Sequence, residues 1–391
     1  MQLDFHYYAT YCAAILAGYS PDDSLELARS AQFVDCCTRT LLEKLKAPRA
    51  AATTQLQLEM MDARTDVLGL QDITRIWASF HFLPRDLHAE KPGCPRRYLN
   101  KYRLICGPNS ELLKETVELA KEAGNVEAAG IAMHVLADTW AHSYFAGTPS
   151  LVINNTNYHF FELLPDGSER PVVFRHSPSG ADDPEAGVYS GSIFQMSENS
   201  IMNLGHGRAG HLPDYSFMRY RYLPAWGEYA EIVKDNPSDY WKAFCQMVCA
   251  LRYLHGETDC FEPDTYDTET VVPYEDEIRT LIAVRRLNAC SDWKALGERL
   301  SGCPIPDFNT EVWEEAYLTA EEKDRTALGR FILAALNQKS LVTNRIYSSG
   351  NLLAGFSVDF WEKGFKGIKD YGKLVDEMKE KMKKMREEML G

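Results

Sequence analysis

At 391 residues, with 45% hydrophobic and 25% charged side chains, the chain has an ordinary globular composition and enough length for one large core or two smaller ones. Its net charge of −14 argues against broad polyanion binding, because nucleic-acid surfaces on proteins are basic. Bound metal ions would add positive charge that this count omits.

In chain order, the opening MQLDFHYYATY lacks the basic region, apolar run and cleavage site of a secretory signal, and a helix is predicted over residues 4–18. Ser20-Pro21-Asp22-Asp23 reads as a cap with proline at the first helical position, opening a helix through about Lys46. Helical periodicity recurs at 54–62, 68–80, 110–123 and 126–146. Between Thr148 and Ser200 the composition shifts to Gly, Pro, Asn and β-branched residues. There His159–Leu164 and Pro171–Arg175 flank Pro165-Asp166-Gly167, the signature of a β-hairpin inserted into a helical core. Further helices are predicted at 238–255, 274–287, 292–300 and 309–337. In the final segment Tyr371, Val375, Met378, Met382, Met385 and Met389 follow a 4-3-4-3-4 spacing, an amphipathic helix of coiled-coil period. It suits packing on its own domain, a homo-oligomer or a partner helix better than a membrane surface, since its lysines are balanced by acids.

The expected fold class is therefore mainly α: a helical bundle core with a small β-hairpin insertion (about 148–200) and a C-terminal amphipathic helix. Residues 1–357 form the helical metal-binding domain and 358–391 the tail. No apolar run reaches the length of a membrane span. The ten cysteines form no CxxC pair and read as reduced thiols of a cytoplasmic protein.

The chemistry concentrates in Ala128–Gly147, AAGIAMHVLADTWAHSYFAG, which has no Lys, Arg or Glu. His134, Asp138 and His142 stand four residues apart, so in a helix they form one stripe. The rest of the segment is apolar, and a buried carboxylate with two imidazoles needs compensation. A hydrogen-bonded His–Asp network is the plain reading. A divalent metal satisfies all three groups at once and is favoured by the strict spacing. GHGRAGHLPD (205–214) supplies His206, His211 and Asp214, and its literal GxGxxG lacks the strand a dinucleotide site requires. His6 lies among aromatics in Phe5-His6-Tyr7-Tyr8. Asp35 in QFVDCC and His81 in FHFLP lie among apolar neighbours. His88, His159, His176 and His255 have polar or irregular surroundings. HExxH, Walker, GxSxG and Glu-x-x-His signatures are missing, as is an adjacent His-Asp pair.

The motifs FHYYATY, QFVDCC, FHFLP, HVLADTWAHSYFAG and GHGRAGHLPD, spread over roughly residues 5–214, together resemble the zinc-dependent phospholipase C and single-strand nuclease superfamily, closest to a bacterial branch of it. The resemblance implies an all-helical fold with two or three zinc ions, though manganese or iron also suits His/Asp donors. It implies that Asp35, His81, His134 and Asp138 hold a first metal, with Asp138 bridging. His142, His211 and Asp214 would hold a second, and His6 would help with a third. Founding members use the free amine of an N-terminal tryptophan. This chain starts with Met1, so the third site is expected to rely on His6. The function implied is phosphodiester hydrolysis of the phospholipase C kind, with Asp138 holding two ions and Asp35 or an unassigned carboxylate taking a proton from water. The substrate would be a small phosphodiester or phospholipid, with nucleic acid disfavoured by charge. A single-strand nuclease and a non-catalytic metal-stabilised scaffold are the alternatives. Phe5, Tyr8, Phe82, Trp140, Tyr144 and Phe145 either wall the pocket or are plain core.

Overall fold

In the computed structural model, which describes residues 1–156, 159–176, 180–193, 195–228 and 230–356, the apolar Ala128 segment becomes the central helix. This helix, α8 (Val126–Ala141), is capped by the Asn125 side chain accepting from the Ala128 N–H, and every residue from Glu127 to Ala141 is buried. A helix apolar around its whole circumference needs neighbours on all sides. They are α2 (Pro21–Phe33), α5 (Val67–Phe80), α7 (Glu111–Ala123), α9 (Asn236–His255) and α13 (Ala327–Ser348). The buried Glu127 carboxylate is met by both ends of the Arg330 guanidinium, at 3.0 and 2.6 Å, a bidentate pair of the strong kind.

The closest of these contacts is with α2. A Cβ on Gly130 would stand 2.4 Å from the Leu27 carbonyl oxygen and 2.5 Å from the Ser30 Cβ. Glycine is therefore required by close helix approach rather than by backbone conformation.

The predicted helix from Ser20 to Lys46 is interrupted. It forms α2 and α3 (Arg39–Lys44), separated by a turn over residues 34–38. Thr53 Oγ1 donates to the Val34 carbonyl at 2.6 Å, and the Thr53 N–H donates to the Cys37 carbonyl at 2.9 Å. Those carbonyls are thereby satisfied outside the helical ladder, and Thr38 recaps the chain by accepting from the Leu41 N–H. The predicted helix at 126–146 stops at Ala141. The one expected at 309–337 divides into α12 (Glu311–Thr319) and α13, with Thr326 capping the second.

The hairpin forms, with changed arms. Strand β1 (Phe161–Leu163) pairs antiparallel with β2 (Glu169–Pro171) about the turn that holds Gly167 at φ 83°. Val173–Arg175, expected as part of the second arm, is instead β3, running parallel to β4 (Val188–Ser190). The sheet also extends beyond the expected insertion, because β5 (Arg219–Tyr222) and β6 (Ile232–Asp235) join it in the order β2-β1-β5-β6. Alternation in Arg219-Tyr220-Arg221-Tyr222 buries both tyrosines with Phe160, which gives these strands their second layer. The Met-striped segment 358–391 lies outside the described residues. Mainly α with a small sheet is thus the architecture, and no helix among the described residues is long and apolar enough to cross a membrane.

Because Gly130 sets the α2–α8 distance, Gly130→Ala is expected to destabilise the protein by about 1–3 kcal/mol through overpacking. Urea unfolding measures it, and a midpoint equal to wild type would show that the two helices tolerate separation.

Candidate metal centre

Five separate pieces of chain deliver the polar side chains to one buried point. Helix α8 carries His134 and Asp138 four residues apart. His142 sits at its C-cap, where its N–H still bonds the Asp138 carbonyl at 2.9 Å, so the predicted stripe survives although the helix ends earlier. A π-helical turn, Asp4–Ala9, presents His6, and such turns recur at functional sites. The break after α2 releases Asp35, and the end of α5 leaves His81 as its C-cap. Two 3₁₀ turns, Gly207–Ala209 and Leu212–Asp214, bring His206 and Asp214. Gly205 precedes them at φ 53°, where a Cβ would lie 2.2 Å from the Phe82 ring.

Asp138 stands at the middle. Its Oδ1 is 3.2 Å from His6 Nε2, and its Oδ2 is 3.2 Å from both His81 Nδ1 and His134 Nε2. Asp35 approaches from the open side, with Oδ1 at 3.8 Å from His81 and 3.9 Å from His134. On the opposite side His142 Nε2 is 3.0 Å from Asp214 Oδ1, and His206 Nε2 is 3.7 Å from the same oxygen. Three donor groups result among the described residues, each able to hold an ion: His6, His134 and Asp138; Asp35, His81 and His134; and His142, His206 and Asp214.

The second atoms of the imidazoles decide what faces inward. His81 Nε2 meets the Thr53 carbonyl at 3.0 Å, and His134 Nδ1 meets that of Ala31 at 2.8 Å. His142 Nδ1 meets the His81 carbonyl at 2.7 Å, and His206 Nδ1 meets that of Gly210 at 2.7 Å. A carbonyl only accepts, so each of these nitrogens carries the hydrogen, and in the neutral ring the other nitrogen offers a lone pair. Lone pairs then face one another: His81 Nδ1 lies 3.2 Å from His134 Nε2, and His142 Nε2 lies 3.0 Å from a carboxylate oxygen. Acceptors so opposed are relieved by a proton or a metal cation between them. Outer carbonyls that fix the tautomer are also the usual support of metal-binding histidines.

His6 points the same way. Its ring is fully buried, stacks on His134 with centroids 3.9 Å apart, and apart from the 3.2 Å approach of Asp138 Oδ1 to Nε2 has no polar partner for either nitrogen among the described residues. Burial, then the neighbouring His134 and N-terminal charge, push its pKa down to about 4. Burial likewise lowers His206 to about 4. Burial alone would raise Asp138 and Asp214, but the surrounding imidazoles and the Met1 amine outweigh it and hold both carboxyls well below the usual range.

The Met1 amine is the feature that sequence reasoning missed. The site was expected to depend on His6 for want of an N-terminal ligand. Instead the amine is buried 2.8 Å from Asp138 Oδ1, 3.3 Å from Asp214 Oδ1 and 3.4 Å from His142 Nε2. Burial works against its charge, yet Asp138, Asp214 and Asp35 prevail and push its pKa up to about 11. One ammonium among those three carboxylates leaves the centre short of positive charge, which bound cations would supply.

The pairing within GHGRAGHLPD also differs from expectation. His206, not His211, joins His142 and Asp214. His211 lies outside, 56% exposed, with Nδ1 at 3.0 Å from the other oxygen of Asp214. The reason is the turn after Gly205, which folds His206 inward against Phe82 and His142. Of the aromatic candidates, Phe82 stacks on His142 and Phe145 approaches His206, whereas Phe5 packs into the core against Tyr240 and Trp293.

The model of the DUF6765 family, described as a family of unknown function, matches residues 1–346. This chain belongs to the DUF6765 family. The matched span contains every residue of the centre described above. No curated protein and no solved structure matches the chain.

Two measurements follow for this DUF6765 protein. In metal-loaded protein, Asp138→Asn is expected to lower metal content and to cost about 3 kcal/mol or more, a larger loss than Asp214→Asn gives. Equal metal loads and melting points would remove the central role of Asp138. In metal-free protein, His6 and His206 are neutral when folded near neutral pH but protonate near the ordinary histidine value of 6.5 when unfolded. A folded pKa below the unfolded one gives stability that is full above pH 6.5 and lost as the pH falls toward 4. Melting temperatures of the metal-free protein are expected to decline across that window, and a flat profile would contradict the assignment.

Proposed function

We propose that this chain is a metal-dependent hydrolase of phosphodiesters, built around two or three zinc ions and acting in the manner of phospholipase C. The observation that carries the proposal is the convergence of three His/Asp donor groups around Asp138 and Asp214, with the outer nitrogens of His81, His134, His142 and His206 turned to backbone carbonyls and Asp35 still 34% exposed. A purely structural zinc site is closed by its protein ligands, whereas a catalytic one keeps a position open to solvent. The motif resemblance over residues 5–214 points to the same chemistry. Nitrogen and carboxylate donors suit zinc and also accept manganese or iron.

Divalent ions held there supply Lewis-acid activation of water and neutralise charge developing on a phosphoryl oxygen. The chain's own contribution is positional. Asp138 reaches both sides of the centre with its two oxygens and keeps the donor groups together. Asp35, at the solvent side, accepts the proton of the attacking water. The new bond forms from that water oxygen to phosphorus, the ester bond to the leaving alcohol breaks, and the alcohol departs carrying the proton that Asp35 took from the water. Phe82 and Phe145 limit bulk water around His142 and His206.

A small diester such as a phospholipid headgroup is the favoured substrate, because a chain of net charge −14 offers few counterion-releasing contacts to a polynucleotide. The ten free thiols suit a reducing compartment such as the cytoplasm.

Purified protein is expected to contain two or three divalent ions per chain and to hydrolyse bis(p-nitrophenyl) phosphate and mixed phospholipid micelles, with activity abolished by chelation and restored by zinc. Cleavage of single-stranded DNA or RNA without lipid hydrolysis would reassign the substrate. Inactivity of fully loaded protein on every diester would make the centre a scaffold.

A further inference from the structure

Behind the metal centre, the turn that follows α8 contributes to a second cleft of about 690 Å³ that includes none of the metal-centre carboxylates or histidines. That volume lies within the usual range of small-molecule sites. Four aromatic rings wall it: Tyr102, Trp140, Tyr144 and Trp226. Tyr144 is held in the left-handed region at φ 79°, with its N–H donating to the Cys106 carbonyl at 3.0 Å. This conformation is uncommon for a bulky side chain and costs free energy that the fold has retained. The indole N–H of Trp226 is buried with no hydrogen-bond partner among the described residues.

The charges of the lining divide into committed and uncommitted. Lys234 is buried and saturated, donating to the Trp140 carbonyl, Ser143 Oγ and Asp239. Asp235 faces Arg219 at 3.4 Å and caps α9, while Asp86 accepts the His88 N–H at 2.8 Å. Arg85 and Lys242 have no ion pair among the described residues, and Lys242 Nζ lies 5.7 Å from the centre of the Trp140 ring. Two cations without ion pairs among the described residues, beside aromatic walls, on a protein of net charge −14, favour a ligand with both a flat apolar body and negative charge.

We propose that this cleft is a second ligand site, separate from the metal centre, that takes a planar aromatic molecule carrying one anionic group. The ring stacks among Trp140, Tyr144 and Trp226, and the anion pairs with Arg85 and Lys242. The cleft shares the Trp140–Tyr144 turn with the metal-centre residue His142, but the proposal does not require that centre to be catalytic.

The matched probes are anilinonaphthalene sulfonate and its neutral counterpart N-phenylnaphthylamine, titrated by fluorescence into the full chain. One saturable site for the sulfonate is expected, with the neutral compound bound about tenfold more weakly. Arg85→Gln and Lys242→Gln are each expected to raise the sulfonate Kd by about five- to tenfold, with Lys242→Arg near wild type. Both residues are exposed, so the folds of the variants are expected to survive, as unchanged melting curves would show. Equal affinity for the two probes, wild-type Kd in both glutamine variants, or failure of the sulfonate to saturate would each overturn the proposal.

Discussion

Asp138 lies on the most enclosed helix of the fold, and an ionised carboxylate there costs several kcal/mol unless positive charge or donors surround it. Much of the molecule is arranged to meet that demand. The helix is apolar so that it can occupy the centre. Its neighbours break or end where they do so that His6, Asp35, His81, His206 and the Met1 amine can reach the same point. Charge compensation at one buried residue thus links segments that are far apart in sequence, and it explains why irregular backbone gathers on this side of an otherwise regular bundle.

The imidazoles are ordered by an outer layer of carbonyls, and those carbonyls are themselves held. Thr53, which orients His81, belongs to a segment pinned to the turn after α2. The buried Lys339 ammonium on α13 donates to the carbonyls of Ala50 and Ala52 just before it. At the other side, Asn236 donates to the carbonyls of Leu212 and Tyr215, and Tyr240 OH donates to that of Asp214. Both residues lie on α9, so helices that carry none of the centre's own side chains fix the aim of its donors. Preorganisation of this kind keeps ligand positions from collapsing onto one another when cations are bound.

Much of the centre was legible in the sequence because its signals are local. Four-residue spacing in an apolar segment marked His134, Asp138 and His142, isolated polar residues in apolar motifs marked Asp35 and His81, and His6 entered through the motif resemblance. What escaped depends on tertiary geometry. Whether His206 or His211 turns inward rests on the positive φ of Gly205 and on Phe82, which are remote from any spacing rule. The Met1 amine was passed over because the sequence opens with Met and not with the tryptophan of the resembled superfamily, and a backbone terminus has no side-chain signal of its own. The break after α2 was hidden because Thr53, which captures the freed carbonyls, comes from a later loop. The sheet was underestimated for a similar reason: three-residue strands such as β3 and β4 pair through contacts that no short periodic pattern encodes.

Anomalous diffraction at the zinc edge, from crystals of zinc-reconstituted protein, tests the central claim most directly. The account expects two or three peaks about 2.0–2.2 Å from inward donors: His81 Nδ1, His134 Nε2, His142 Nε2, His206 Nε2 and the carboxylates of Asp138 and Asp214. Peaks confined to the surface, or none at all beside a directly hydrogen-bonded His–Asp cluster, would contradict it.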